Sequence, residues 1–173
     1  MAWNIDSTHS EIGFSVRHMM ISTVRGKFKN VEADVALDPQ NLEASTVTAR
    51  VSAASIDTGE PKRDEHLRSA DFFDAEKYPT LTFTSTKVTR DGDDLVVVGS
   101  LKIKEHEQPV TLKGEVVGPS KDPWGNERFG FSLSAEIERE AWGLGWNQAL
   151  EAGGVLVGKK VKIHIEAQLV KSA

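Results

Sequence analysis

Over most of its length this chain sets an apolar residue at every second position, the signature of strands with one face in a core and the other in water. Ile12, Phe14, Val16 and His18 share one face, opposite Glu11, Ser15 and Arg17. Val31, Ala33, Val35 and Leu37 repeat the pattern, then Val47, Ala49, Val51 and Ala53, then Leu81 and Phe83. Asp and Gly tolerate positive φ, so DGDD at 91–94 predicts a hairpin turn into Leu95, Val97, Gly99, Leu101 and Ile103. A turn at 105–109 precedes Val110, Leu112 and Val116, and a longer one at 118–126 precedes Phe129, Phe131, Leu133, Ala135 and Ile137. Val161, Ile163, Ile165, Ala167 and Leu169 close the series. The expectation is all-β: a single antiparallel eight-stranded barrel, closed so that no edge is left unpaired.

Two segments break the alternation. Residues 60–73 carry Pro61 at a first helical position and repeat Leu67, Ala70 and Phe73 at helical spacing, which predicts one short inserted α-helix across a barrel mouth. Residues 140–154 hold Trp142, Leu144 and Trp146 among glycines and read as a long aromatic loop. With no linker, low-complexity tract or fixed repeat, residues 1–173 form one domain.

The composition removes several function classes. Lys and Arg total 21 against 26 Asp and Glu, a net charge of −5. That balance is a poor footprint for nucleic acid, which is bound by displacing counterions from phosphates. Cysteine is absent, so disulfides, thiolate metal sites and cysteine nucleophiles are excluded. No apolar run reaches the length of a membrane span. The start, MAWNIDSTHS, lacks a basic region followed by an apolar stretch, so no signal peptide is expected and the expected compartment is the cytoplasm.

No catalytic constellation stands out. The five histidines show neither the i, i+2 strand spacing nor the i, i+4 helix spacing of a local metal site, and there is no HExxH. No metal and no cofactor is therefore expected. No serine sits in a G-x-S-x-G elbow, and GLGWNQ at 143–148 lacks the third glycine of a dinucleotide loop. Arg25, Lys27 and Lys29 share one strand face opposite Phe28, a pattern that a solvated outer face explains. His9 reads as a local fitting near the start. His18 is either a buried, hydrogen-bonded imidazole or a polar anchor in a cavity.

The barrel's contents remain. Inward positions include the small residues Ala33, Ala49, Ala53, Gly99, Gly114 and Ala135. Either short residues pack a filled core, or they leave an elongated apolar cavity with Met19, Met20, Phe72, Phe73, Trp142 and Trp146 at its rim. A chain buried there gains about 0.8 kcal/mol per methylene, so about ten methylenes reach micromolar affinity before ordering costs.

The segments WNIDSTHSEIGFSVRHM, VRGKF, SIDTGEPKRDEHLRSADFFDAEKYPTLTF, RFGF, REAWGLGWN and VGKKVKI together resemble the YceI-like family of lipocalin-like, polyisoprenoid-binding proteins, from Trp3 to about Leu169. The resemblance implies a lipocalin-like barrel with a helix between two strands and a hydrophobic tunnel for a long isoprenoid, such as a polyprenyl phosphate or a quinone tail. It implies a binding protein rather than an enzyme, one that stores or carries its lipid, and a homodimer. Carried over residue by residue, Phe14, His18, Phe28, Leu67, Phe72, Phe73, Phe83, Phe131 and Trp142 line or close that tunnel. Val16 and Leu101, of inward parity, and Met20 and Trp146, at the rim, join them as binding candidates, and Arg63, Asp64 and His66 match the charged helix motif, as a polar rim or a structural element. Where many members carry Thr-Ile-His-Gly, this chain has Lys102-Ile103-Lys104-Glu105, with Lys102 and Lys104 expected outside. The rival readings are an enzyme acting on such a lipid, with His18 as its base, and a stress-related barrel with a filled core.

Overall fold

The computed structural model describes residues 3–19, 21–147 and 157–171. Among them, eleven strands form one antiparallel sheet: β1 (Trp3–Ile5), β2 (Glu11–His18), β3 (Ser22–Phe28), β4 (Val31–Ala36), β5 (Thr46–Ser52), β6 (Ile56–Asp57), β7 (Thr80–Asp91), β8 (Asp94–Ile103), β9 (His106–Lys121), β10 (Glu127–Glu138) and β11 (Val157–Lys171). One helix, α1 (Pro61–Arg68), lies between β6 and β7. The order across the sheet is β4-β5-β7-β8-β9-β10-β11-β2-β3-β6, and β1 adds to β11.

The fold class is as expected, an all-β curled sheet with one helix. The closed eight-stranded count is corrected to eleven strands in a half-open barrel whose edges, β4 and β6, share no ladder among the described residues. The eight alternating runs are β2, β4, β5 and β7 to β11. The three additions escaped the alternation for physical reasons: β1 and β6 are too short to show a period, and β3 presents Gly26 where an apolar side chain would mark the inner face. One end of the seam is tied by the chain itself, since Lys29 N donates to Ser55 O at 3.2 Å, Asn30 N to Ser55 Oγ at 3.1 Å and Ser52 N to Asn30 O at 3.0 Å.

Two turns are tighter than expected. The β8–β9 reversal occurs at Lys104–Glu105, with Lys104 at φ 58°, and β9 already begins at His106. The next reversal shrinks to 122–126, where Asp122 Oδ1 accepts from Trp124 N and Asn126 N, both at 2.9 Å. Helix α1 is shorter than the 60–73 read from spacing. Glu60 caps it by accepting from Lys62 N at 3.2 Å, and Pro61 takes its first position. It stops because Phe73 N and Ala75 N return to the carbonyls of Leu67 and Arg68, at 3.0 and 2.9 Å, folding Phe72 and Phe73 back beneath it.

The N-terminal end is locked by charge. Arg128 donates through Nη1 to Asp6 Oδ2 at 2.7 Å and through Nε to Asp122 Oδ2 at 2.8 Å, joining the start of the chain, β10 and the 122–126 turn. The Arg128 guanidinium holds both carboxylates down, Asp122 to about 2 and Asp6 well below the ordinary aspartate range, with His9 adding to the effect on Asp6. The folded state therefore binds fewer protons than the unfolded one between pH ~4 and pH 2. The stabilisation is complete above the unfolded value and disappears as pH falls through the folded ones. Arg128→Ala is thus expected to move the acid-unfolding midpoint to higher pH and to flatten stability between pH 4 and 2. Circular dichroism melts across that range read this directly, and an unchanged acid limb would show that the network contributes nothing.

Candidate functional site

The alternation that builds the strands also builds a cavity. Inward side chains of β2, β5, β7, β9 and β11 enclose two chambers, of about 190 and 200 Å³. Ile12, Phe28, Ala49, Phe83, Leu112 and Ile165 line both, so the chambers adjoin at a shared waist. The first chamber lies on the β4 side, where Val31, Ala33, Val35 and Leu37 form one wall; Ser10, Glu11, Lys29, Ser45, Thr46 and Glu166 add polar groups. The second lies beneath α1. Among the described residues its wall is apolar except for Arg139.

Strand β11 measures the length. Val157 borders the second chamber and Leu169 the first. Twelve residues of strand span ~40 Å, or roughly 30 Å along the barrel axis at the usual strand tilt. That is about the thickness of a bilayer's hydrocarbon core.

The structure distributes the sequence candidates unevenly. Phe14, Val16, Leu67, Phe72, Phe73 and Leu101 line the second chamber, and Phe131 lines the first. Phe28 and Phe83 stand at the waist. The Phe28 ring packs against two others, 5.7 Å from Phe14 and 5.8 Å from Phe73.

Three candidates are not among the residues that line the chambers. His18 has the inward parity of Val16 and ends β2 opposite Val157, a residue of the second chamber's wall, and its carbonyl accepts from Ile21 N and Ser22 Oγ. Trp142 is buried outside the lumen, with Nε1 donating to Leu101 O at 2.8 Å. Trp146 packs edge-on against His66 at 4.6 Å and lies 5.5 Å from Phe72, which places it behind a wall residue. Met20 falls outside the described residues.

The charged motif on α1 acts as a brace. Asp64 Oδ1 accepts from Thr58 N at 2.8 Å and from Thr58 Oγ1 at 2.5 Å, while Arg63 Nε and Nη2 donate to Thr58 Oγ1 and Thr58 O at 2.8 and 3.0 Å. His66 Nε2 meets Asp71 Oδ2 at 2.8 Å. These contacts hold the helix so that Leu67 faces the lumen. His9 pairs with Asp6 at 2.7 Å, the local fitting its position suggested. Among the described residues no cluster of His, Asp or Glu could hold a metal ion.

Sequence reasoning missed two sets. Ile12, Ala49, Leu112 and Ile165 share the inward parity of their strands, and that parity was the signal for them. Arg139 had no such signal. It is 3% exposed and donates through Nε to Gly158 O at 2.8 Å, through Nη1 to Leu144 O and to Trp146 O at 3.1 Å, and through Nη2 to Val157 O at 3.3 Å. Burial pushes its guanidinium below the ordinary value, with the charge of Glu140 opposing. Four of its five N–H groups are thereby committed to backbone.

Known proteins agree with this architecture. Residues 3–169 match the YceI-like domain. A UPF0312 protein of Staphylococcus epidermidis is 41% identical over 167 residues, 96% of this chain and 95% of the relative. Protein YceI of Escherichia coli is 39% identical over 133 residues, covering 77% of this chain and 70% of that protein. Among solved structures, a Campylobacter jejuni YceI protein superposes with a TM-score of 0.75 at 29% identity, over 91% of this chain and 90% of its own. A domain of Saccharophagus degradans described as polyisoprenoid binding shares the fold at a TM-score of 0.73 and 14% identity, over 99% of both chains. With the domain matched from Trp3 to Leu169 around one curled sheet, the chain belongs to the YceI-like family.

Proposed function

We propose that this protein is a non-enzymatic carrier or store for a long-chain isoprenoid lipid, held lengthwise through both chambers. The observation that carries the reading is the pair of chambers adjoining at one waist, the second of them apolar but for a single side chain. The fold it shares with a polyisoprenoid-binding domain supports the same choice of ligand.

The tail belongs under α1 and the head on the β4 side. Among the described residues the second chamber's one charged lining group is Arg139, which commits four of its five N–H groups to backbone carbonyls. The first chamber, by contrast, carries hydroxyls and charged groups. The filled-barrel reading fits these chambers poorly.

Native mass spectrometry of freshly purified protein, followed by organic extraction, is the test. One long-chain isoprenoid per chain is the expected result. A bare mass that does not change on adding polyprenyl phosphates or quinones would overturn the reading.

A further inference from the structure

Two glycines stand opposite aromatic rings where a side chain would otherwise project into the lumen. Gly26 of β3 pairs directly with Phe14 of β2. A Cβ added at Gly26 would lie 2.5 Å from Phe14 Cζ and 2.9 Å from both Phe14 Cε1 and Thr58 Cγ2. Gly99 of β8 plays the same part for Phe83, whose Cζ and Cε2 would lie 2.4 and 2.6 Å from an added Cβ. Bare backbone at these two points is what lets each ring lie flat against the sheet, an aromatic side chain covering a glycine across the strands. Phe83 is a waist residue and Phe14 lines the chamber just beyond it.

Each glycine therefore sets how far a neighbouring ring stands into the path of an apolar chain. We infer that Gly26 and Gly99 are specificity-determining positions that fix the length of lipid chain this barrel accepts, by recessing Phe14 and Phe83 into the wall. The inference rests on the carrier reading and deepens it. An alanine at 26 forces the Phe14 ring to move by about an ångström to regain ordinary contact distance, and a shift away from β3 carries it towards the lumen it lines. The second chamber then narrows next to the waist, while the first chamber is untouched. A chain that ends in the first chamber keeps its contacts. A longer one loses the part beyond Phe14, at roughly fourfold in affinity per methylene excluded.

Gly26→Ala is the cleaner variant, because every atom its Cβ would crowd belongs to a side chain. At Gly99 the Cβ would also meet Thr84 O at 2.5 Å, which is backbone. Farnesol, geranylgeraniol and solanesol form a length series for tryptophan-quenching titration of the wild type, Gly26→Ala, the double variant Phe14→Leu/Gly26→Ala, and Phe14→Leu alone. Gly26→Ala is expected to weaken solanesol by about tenfold or more and farnesol by less than about threefold. The double variant, in which only Thr58 Cγ2 still lies close to the new Cβ, is expected to recover solanesol binding, and no recovery would overturn the part assigned to the Phe14 ring. Phe14→Leu alone, which folds without any new contact at 26, is expected to shift preference towards solanesol over farnesol. Equal losses for all three prenols in Gly26→Ala, or no change of preference in Phe14→Leu, would overturn the length gauge while leaving the carrier intact. Wild-type protein that takes up no prenol would overturn the carrier reading, and the gauge with it.

Discussion

On the carrier reading, an Ala49→Phe variant is expected to fold and to purify without bound lipid. Ala49 lies at the centre of β5, opposite Phe83 in the β5–β7 ladder and Ala33 in the β4–β5 ladder, and it lines both chambers. A phenyl ring there fills the waist with carbon instead of displacing packed atoms, so the usual penalty for overpacking does not apply. The chain of a bound lipid is cut at the waist. If about ten methylenes were buried and half of them are excluded, ~4 kcal/mol is lost, on the order of a thousandfold in affinity. Filling the space is expected to raise the melting temperature of the lipid-free protein. Extraction and mass spectrometry of both proteins read the first effect, and calorimetry reads the second. A variant that still carries one lipid per chain would place the binding site outside the lumen.

Arg139→Leu is expected to produce the largest loss of stability of any single change outside the apolar core. The guanidinium joins the turn after β10, through Leu144 O and Trp146 O, to the start of β11, through Val157 O and Gly158 O. Leucine matches much of its volume but donates to none of these carbonyls. Each carbonyl left unpaired in a buried place costs ~1–3 kcal/mol. Allowing for water reaching some of them, the expected loss is about 3–5 kcal/mol. For a chain of this size that is a fall in Tm of roughly 10–15 °C. Hydrogen exchange should quicken around residues 144–147 and 157–161 before the rest of the sheet. A Tm within ~2 °C of the wild type would mean that solvent already serves those carbonyls.

Much of this site was legible from spacing alone. The inward parity of Phe14, Val16, Phe83, Leu101 and Phe131 follows from a two-residue repeat, and the structure sets all five into the chamber walls. Parity states the face of a sheet, however, and not the position along it. His18 has the right face but stands at the last position of its strand and is not among the residues lining either chamber. Trp142 and Trp146 come from a segment with no period at all. Their places were decided by an indole N–H that takes the carbonyl of Leu101 and by a ring that stacks behind His66 and Phe72.

The amino-acid sequence by itself determined the class of fold, the eight long strands, the inserted helix with Pro61 at its start, and which side of each long strand faces inward. These are properties of neighbours along the chain, where pleat and helix periods impose a pattern that composition makes visible. Only the tertiary structure decided that the sheet stays half open, that β1, β3 and β6 complete it, and that the lumen divides at Phe28 and Phe83. It also decided that a buried arginine caps the dry end and that Gly26 and Gly99 make room for rings on other strands. Each of these depends on residues far apart in the chain meeting across the barrel, and no repeat along a single strand encodes which partner will stand opposite.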